Sequence, residues 1–402
     1  MQHSKHILLG ITGGIAAYKS CEVVRLLKKA GHRVSVVMTQ AACEFVSPLT
    51  FQALSGEPVL TDLGQSNNAM AHIQAVRNAD LLLIAPATAN TVAKIAHGIA
   101  DNLLTTMVAA RGRCPLAIAP AMNVEMWYNP ANIRNINQLQ QDGAVLFLPD
   151  SGDLACGEKG FGRMKEPAEL IDLIEDIWAE KSLAGKKVLI TVGATFEAID
   201  PVRGITNISS GKMGVALARA CRAAGASVSV VAGQMQVPLP AGLNKMVQAT
   251  SAENMYQAVM QDIENQDIFI SAAAVADYKV KNKSKQKIKK NNQLPVIELE
   301  ENPDILASVA HLDNPPFCVG FAAESDNVVA YARQKMQKKN IPMIVANAVA
   351  DAMGKDTTSI TMIDKQETIE VAHTDKNTAA HAIVERMATL LNTQSVSGNL
   401  KS

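Results

Sequence analysis

The chain has 402 residues, of which 48% are hydrophobic, and a formal charge of +0; this composition excludes intrinsic disorder and a globally basic nucleic-acid binder and favours small-molecule partners. Such a length exceeds what one hydrophobic core usually serves, so two domains of about 200 residues each are expected. No apolar run approaches the roughly 18 residues of a membrane span, and the early run "ILLGI" is too short for a signal peptide. The expectation is a cytoplasmic protein with no membrane contact and no nucleic-acid partner.

In chain order, "KHILLGITGGIAAYKSCEVVRLLKKAGHRVSVVMT" predicts a strand, a glycine turn, a helix closed by Gly31 and a second strand. Further buried strands follow at "DLLLIAP", "CPLAIAP" and "AVLFLPD", spaced for helical crossovers, which predicts a parallel, doubly wound α/β sheet. The turn "TGGIAA" offers backbone N–H groups and a helix start to a phosphate. It is not GxGxxG, and the second strand ends at Met38-Thr39 where an NAD site would place an acid, so a mononucleotide such as FMN suits it better than a dinucleotide. "APATANT" (Ala85–Thr91) and "APAMNVEMW" (Ala119–Trp127) follow buried strands and fall at the carboxyl edge, where such sheets bind ligands. "DLACGEKGFGRM" (Asp153–Met164) then sets a thiol among glycines and charges, in a loop that cannot bury it. The six cysteines, Cys21, Cys43, Cys114, Cys156, Cys221 and Cys318, include no CxxC pair and indicate neither a disulfide framework nor a zinc site.

"PAELIDLIEDIWAEKSLAG" reads as an amphipathic helix joining two halves, with the boundary near Ala184. The pattern then restarts: "KKVLITVGAT" repeats the lysine, strand and glycine phrase, "SSGKMGVALARACRAAGASVSVVAG" gives a helix, Gly225 and a strand, and later strands are predicted at "DIFISAA", "FCVGFAA" and "MIVANA". "DPVRGITNISSGKMG" places Arg203, Asn207, Ser209, Ser210 and Lys212 around a second glycine turn, donors suited to a phosphate or a developing oxyanion. The P-loop pattern is absent because Lys212 is followed by Met213. Beyond "AVADYKV" comes "KNKSKQKIKK", six lysines in ten residues: either a solvated face or a lid that neutralises a triphosphate. Domains are expected at 1–183 and 184–392, with 393–402 a flexible tail.

With "TGGIAA", "APATANT", "NAMAHI", "PAMN" and "ACGEKGFGRM", the first half resembles the flavin-dependent cysteine decarboxylases. The resemblance implies a flavodoxin-like fold, with FMN contacted by Gly13, Gly14, Thr39, Thr88, Asn90, Thr105 and Thr106. It implies that His72 is catalytic, that Asn123 binds substrate, and that Cys156 donates a proton from a closing loop. In that chemistry a cysteine carboxylate gains an electron sink when its thiol carbon is oxidised to a thioaldehyde; carbon dioxide then leaves, and the enethiolate is protonated and reduced.

The second half resembles phosphopantothenate-cysteine ligases, which implies a Rossmann-like fold and CTP as co-substrate. Ser271, Ala272, Ala273, Asp277, Lys287, Asn302, Pro303, Asp304, Ile305, Phe321, Lys335 and Lys339 match CTP-binding positions, Asn207 matches the residue that holds an acyl-cytidylate, and Lys287 acts chemically or as a charge. Arg203, Ser210 and Lys212 are further substrate-binding candidates. Mg2+ is implied as a counter-ion, with ligands unassigned. Ala194 and Phe196 depart from the family pattern, which commonly has proline and a basic residue there. Both halves in this order resemble the bifunctional bacterial enzymes of coenzyme A biosynthesis, acting on 4'-phosphopantothenate, cysteine, CTP and 4'-phosphopantothenoylcysteine, and imply a homo-oligomer, a dodecamer built from trimers and dimers. Two rivals are an FMN-binding regulatory protein that inhibits a partner, and a nicotinamide oxidoreductase, which would need an acid after the second strand of either half.

Overall fold

Uninterrupted aliphatic runs form the central strands of a computed structural model that describes residues 4–62, 70–153, 157, 159–289, 296–324, 327–348 and 357–399. The chain divides into two units, Met1–Ile174 and Glu175–Ser402.

In the first unit β1 (His6–Ile11), α1 (Lys19–Lys29) and β2 (Arg33–Met38) form the predicted βαβ element. Next come α2 (Gln40–Cys43), α3 (Pro48–Ser55), α4 (Ala71–Arg77), β3 (Leu81–Ala87), α5 (Ala89–Ala96), α6 (Leu103–Ala110), β4 (Leu116–Pro120), α7 (Val124–Tyr128), α8 (Pro130–Gln141) and β5 (Val145–Leu146). All seven residues of β3 are buried, the signature of a strand covered on both faces. The sheet order is β2-β1-β3-β4-β5, parallel throughout, which is the flavodoxin-like order, with its switch point between β1 and β3. "AVLFLPD" yields only a two-residue strand, since Pro149 has no N–H for a ladder; Asp150 instead opens a separate hairpin, β6 (Asp150–Asp153) with β7 (Lys159–Arg163). α9 (Pro167–Ile174) closes the unit.

The second unit runs β8 (Lys187–Val192), β9 (Phe196–Ala198), β10 (Gly204–Thr206), α10 (Lys212–Ala223), β11 (Ser227–Ala232), β12 (Lys245–Gln248), α11 (Ala252–Asp262), β13 (Ile268–Ser271), β14 (Tyr278–Val280), β15 (Leu299–Glu301), α12 (Ile305–Ala310), β16 (Phe317–Glu324), α13 (Val328–Lys338), β17 (Met343–Ala348), β18 (Thr357–Asp364), β19 (Thr368–Asp375) and α14 (Lys376–Asn399). Its sheet order is β12-β11-β8-β13-β16-β17-β18-β19. The first six strands are parallel in the Rossmann order, and β18 and β19 add antiparallel strands at one edge. Residues of α10 and α14 fill one core layer; α11, α12 and α13 fill the other.

The division lies ahead of Ala184. α9 stops at Ile174 and a 3-10 turn, Glu175–Trp178, follows. Asp176 pairs with Arg222 at 2.6 Å, Lys181 donates to the Ala223 carbonyl at 2.8 Å, and Leu183 is buried in the core with Val188 and Leu217. These contacts attach 175–183 to the second unit. At the other end, helical backbone covers 393–399, where a tail was expected, and the Thr393 hydroxyl donates to the Thr389 carbonyl at 2.7 Å, as in a continuing helix.

Gly214 marks where α10 meets β8: an added Cβ would lie 2.5 Å from Val192 Cγ1 and 3.3 Å from Val192 Cα. Gly214→Ala is therefore expected to destabilise the second unit by about 1–3 kcal/mol through overpacking. The denaturant midpoint of that unit reads this out, and an unchanged midpoint would contradict the packing.

Candidate functional site

The first site grows from loops at the carboxyl edge of the parallel sheet. A Cβ on Gly13 would lie 2.4 Å from Ala41 Cβ and 2.8 Å from the Ala41 carbonyl carbon, so only glycine lets the loop after β1 close on α2. The Thr12 hydroxyl donates to the Pro86 carbonyl at 2.8 Å and accepts from Thr88 N–H at 3.0 Å; the Ser20 hydroxyl donates to the Ala85 carbonyl at 2.7 Å. These bonds tie the end of β3 and Thr88 to the chain from Thr12 to the start of α1.

What remains between the loops is a cavity of about 1020 Å³, walled in part by Gly13, Gly14, Thr39, Thr88, Asn90 and Asn123. Thr39, Thr88 and Asn123 among them are helix N-caps. Thr88 caps α5 and Asn123 caps α7, its Oδ1 accepting from Glu125 N–H at 2.8 Å. Of the expected pair Thr105 and Thr106, Thr105 is buried in a capping box with Asn102, and Thr106 donates to the Ala100 carbonyl at 3.4 Å; Asn102 is the residue of that segment on the wall. Sequence reasoning also missed Tyr18, Lys19, Arg163 and Met164, which line the same cavity. Lys19 is 8% exposed, and its ammonium donates to the Met164 carbonyl at 3.2 Å and to Glu166 Oε1 at 2.9 Å. A signal was present, because Lys19 shares a helical stripe with the buried Val23 and Leu27.

The β6/β7 hairpin is pressed onto the loop bearing Asn123. Gly162 has φ +137°, its Cβ would meet the Met122 carbonyl oxygen at 2.2 Å, and its own carbonyl accepts from Met122 N–H at 3.0 Å. Cys156 falls in sequence between the two strands of this hairpin and lies outside the described residues; His72 belongs to α4, with its side chain likewise outside them.

In the second unit, Ala194 and Gln234 exchange backbone hydrogen bonds at 2.9 and 2.7 Å, which zips the loop after β8 to the loop after β11. Glycine is required on both sides: a Cβ on Gly193 would lie 2.5 Å from the Gln234 carbonyl oxygen, and one on Gly233 would lie 2.3 Å from that of Ala194. Ala274 N–H donates to the Gly193 carbonyl at 2.8 Å and Ala276 N–H to the Thr195 hydroxyl at 2.9 Å, which adds the loop after β13, beyond Ser271, Ala272 and Ala273. Phe196, one of the two departures, lays its ring over Gly204.

Several expected residues converge on that loop. Asn207 Nδ2 donates to the Val275 carbonyl at 3.1 Å, Asn302 N–H donates to the Asp277 carbonyl at 2.8 Å, and Asn302 Nδ2 donates to the Ala276 carbonyl at 2.9 Å. Asn302 Oδ1 is buried with no hydrogen-bond partner among the described residues. Lys212 opens α10 after Gly211, whose φ is +77°, and the Ser210 carbonyl accepts from Gln236 N–H at 3.1 Å. Lys335 donates to the Phe321 carbonyl at 3.0 Å. Lys339 donates to both oxygens of Asp304, at 2.8 and 2.7 Å. Burial pushes the Asp304 carboxyl up, but Lys339 and the Ala307 N–H it accepts outweigh this and hold it below the ordinary range. Ile305 is buried at the start of α12, after Pro303, whereas Lys287 is exposed. The Arg203 guanidinium is engaged by Asp200 and by the Ile288 carbonyl. Among the described residues no group of three or more His, Cys, Asp or Glu side chains could hold a metal, and no helix is long and apolar enough to cross a membrane.

A family model described as Flavoprotein matches residues 1–178, and one described as DNA/pantothenate metabolism flavoprotein C-terminal domain matches 183–391. The coenzyme A biosynthesis bifunctional protein CoaBC of Vibrio cholerae is 47% identical over 388 residues, 94% of this chain and 97% of that protein. The CoaBC protein of Bacillus subtilis is 44% identical over 373 residues, 91% of this chain and 92% of its own. This chain belongs to the CoaBC family. The CoaBC protein of Escherichia coli is 44% identical over 354 residues, 86% of both chains. The two matched segments part between 178 and 183, close to the division between the units.

The Lys19–Glu166 pair gives a pH-dependent test of how the first cavity is braced. The bond from Lys19 holds the Glu166 carboxyl below its ordinary value of 4.5; burial opposes this and Arg163, at 2.5 Å, adds to it. A depressed carboxyl pKa contributes stability that is complete above the unfolded value and is lost as pH falls through the folded one. Glu166→Gln should melt at a lower temperature than the unsubstituted protein at pH 7, by a modest amount because Glu166 is nearly half exposed. That gap should close as pH falls below about 4.5; a gap that persists undiminished in acid would contradict the role of the charge.

Proposed function

We infer that this chain is a bifunctional enzyme of coenzyme A biosynthesis: its second unit joins cysteine to 4'-phosphopantothenate and its first unit decarboxylates the product to 4'-phosphopantetheine. The observation that carries this reading is the presence of two separately built carboxyl-edge sites on one chain, matched over 94% of its length by a relative named for two functions. An FMN-binding regulator is not favoured, because that match extends through the second unit.

In the first unit the residues present fit FMN. The close approach of Gly13 to Ala41, the start of a 3-10 helix at Ile15, and the polar side chains of Thr39, Thr88, Asn90 and Asn102, which line the same cavity, suit a phosphate and a flat ring system. When bound, the flavin supplies reversible hydride acceptance at the substrate's thiol carbon. Asn123, fixed at the cap of α7, orients the substrate. Cys156, carried between strands that pack on the 122–124 loop, delivers a proton to the enethiolate carbon and shields the site from water. His72 completes the catalytic set. Ile15, Tyr18 and Met126 line the cavity yet are exposed, which supports a homo-oligomer in which a second copy covers them, with the dodecamer built from trimers and dimers as its proposed form. A cytoplasmic location accords with this chemistry.

In the second unit the phosphopantothenate carboxylate attacks the α-phosphorus of CTP and displaces pyrophosphate; the cysteine amine then displaces CMP from the mixed anhydride. Ser210 and Lys212 at the start of α10, with Lys287, meet the phosphates, and Asn207 holds the acyl-cytidylate. Asn302 Oδ1, buried with no hydrogen-bond partner among the described residues, supports a base that carries an amino donor, as cytosine does. Magnesium is proposed as the counter-ion of the triphosphate.

Three substitutions separate the roles. Cys156→Ser should keep flavin content and accumulate an oxidised, decarboxylated intermediate detectable by mass. His72→Asn should abolish decarboxylation alone, and Asn207→Asp should impair pyrophosphate release from CTP alone. Normal turnover by Cys156→Ser, or loss of both reactions from either of the other variants in folded protein, would overturn the assignment.

A further inference from the structure

We propose that Asp200 is a positioning residue of the ligase reaction, which clamps the segment carrying Lys287 to the turn that leads into Asn207. The proposal rests on reading the second unit as a CTP-dependent ligase.

The carboxylate is 2% exposed, and both its oxygens are used. Oδ1 accepts from Val202 N–H at 2.8 Å and Arg203 N–H at 2.9 Å, which closes the turn between β9 and β10. Oδ2 accepts from Arg203 Nε at 3.0 Å and from Ile288 N–H at 3.1 Å, 88 residues further along the chain. Arg203 spans the same gap, and its NH2 group donates to the Ile288 carbonyl at 2.6 Å. Ser284 N–H donates to the Ile199 carbonyl at 2.9 Å. The segment is thus fastened to one turn at Ser284 and at Ile288, and Lys287 stands between the two fastenings.

The other end of that turn continues through β10 to Asn207, whose Nδ2 donates to the Val275 carbonyl at 3.1 Å. One buried carboxylate therefore relates two residues assigned to the same intermediate, although Asp200 itself faces backbone and Arg203. Burial pushes its carboxyl up, but the N–H groups of Val202, Ile288 and Arg203 and the Arg203 side chain pull it down to about 2, so the clamp stays ionised throughout the physiological range. An acid is needed and an amide does not suffice. Asparagine has one acceptor oxygen, and its Nδ2 would face the donors on the other side. Arg203, a candidate phosphate donor by sequence, is here committed to Asp200 and Ile288 and acts through Lys287.

The test uses the full chain. Asp200→Asn should lower kcat/KM for CTP in pyrophosphate release by about ten- to a hundredfold, the loss typical of a misplaced catalytic group, while decarboxylation of 4'-phosphopantothenoylcysteine is unchanged. A role exerted through Lys287 predicts that Asp200→Asn adds little further loss in a Lys287→Gln background, whereas a merely stabilising role predicts full additivity. Tryptic cleavage after Lys285 and Lys287, followed without substrates, should speed up in Asp200→Asn. Should that variant fail to fold, Arg203→Lys, which cannot span Asp200 and the Ile288 carbonyl together, takes its place with the same expectations. Additive losses, unchanged cleavage or wild-type turnover would each overturn the clamp. Failure of the unsubstituted protein to release pyrophosphate from CTP would instead overturn the ligase reading, while the cleavage arm judges the fastening separately.

Discussion

Both sites depend on backbone brought closer to backbone than any side chain allows. Gly13 against Ala41 in the first unit, and Gly193 and Gly233 against Gln234 and Ala194 in the second, stand where a single methyl would overlap its neighbour. The approach brings segments that follow adjacent parallel strands together at the carboxyl edge, where the switch point of a doubly wound sheet opens a crevice. Gly162 extends the same logic to a hairpin outside the sheet, because its contact with the Met122 carbonyl brings the strands flanking Cys156 onto the loop that holds Asn123.

Paired charges then brace the segments that the sheets do not hold. Lys19 with Glu166 fastens the chain after β7 to α1, and Asp200 with Arg203 fastens the lysine-rich segment to the β9/β10 turn. In each pair one partner is nearly or fully buried and the other reaches solvent. The exposed partner limits what each pair contributes, because solvent screens its charge. A recurrent division of labour follows: glycines set how close the loops come, and ion pairs set which way they face.

How much of this was legible in the sequence depended on range. The central strands could be read because runs such as "LLLIAPA" and "KVLITV" are apolar without alternation, and Thr88 and Asn123 could be placed at strand ends by prolines and helix starts nearby. β18 and β19 escaped because "TTSITMID" and "TIEVAHTD" mix threonine and charge in strands that only their pairing partners identify. The hairpin of β9 and β10 escaped because three-residue strands carry no periodicity. In the sites, Asn102, the N-cap of α6, lines the cavity, whereas the expected Thr105 turns inward to complete its capping box. Asp200 opens "DPVR", yet its role lies in a bond to Ile288 that no local pattern encodes. Residues 175–183 lie with the second unit because Asp176 and Leu183 find their partners, Arg222 and the second core, at long range in the fold.

The account makes the chain two machines, each with its own sheet, core and site. The most direct measurement is to produce 1–174 and 175–402 as separate proteins and to assay each for both reactions. The account predicts that the first is yellow and decarboxylates 4'-phosphopantothenoylcysteine without CTP, and that the second is colourless and joins cysteine to 4'-phosphopantothenate with CTP and magnesium. Two folded fragments that are each inactive and recover either reaction only when mixed would contradict it.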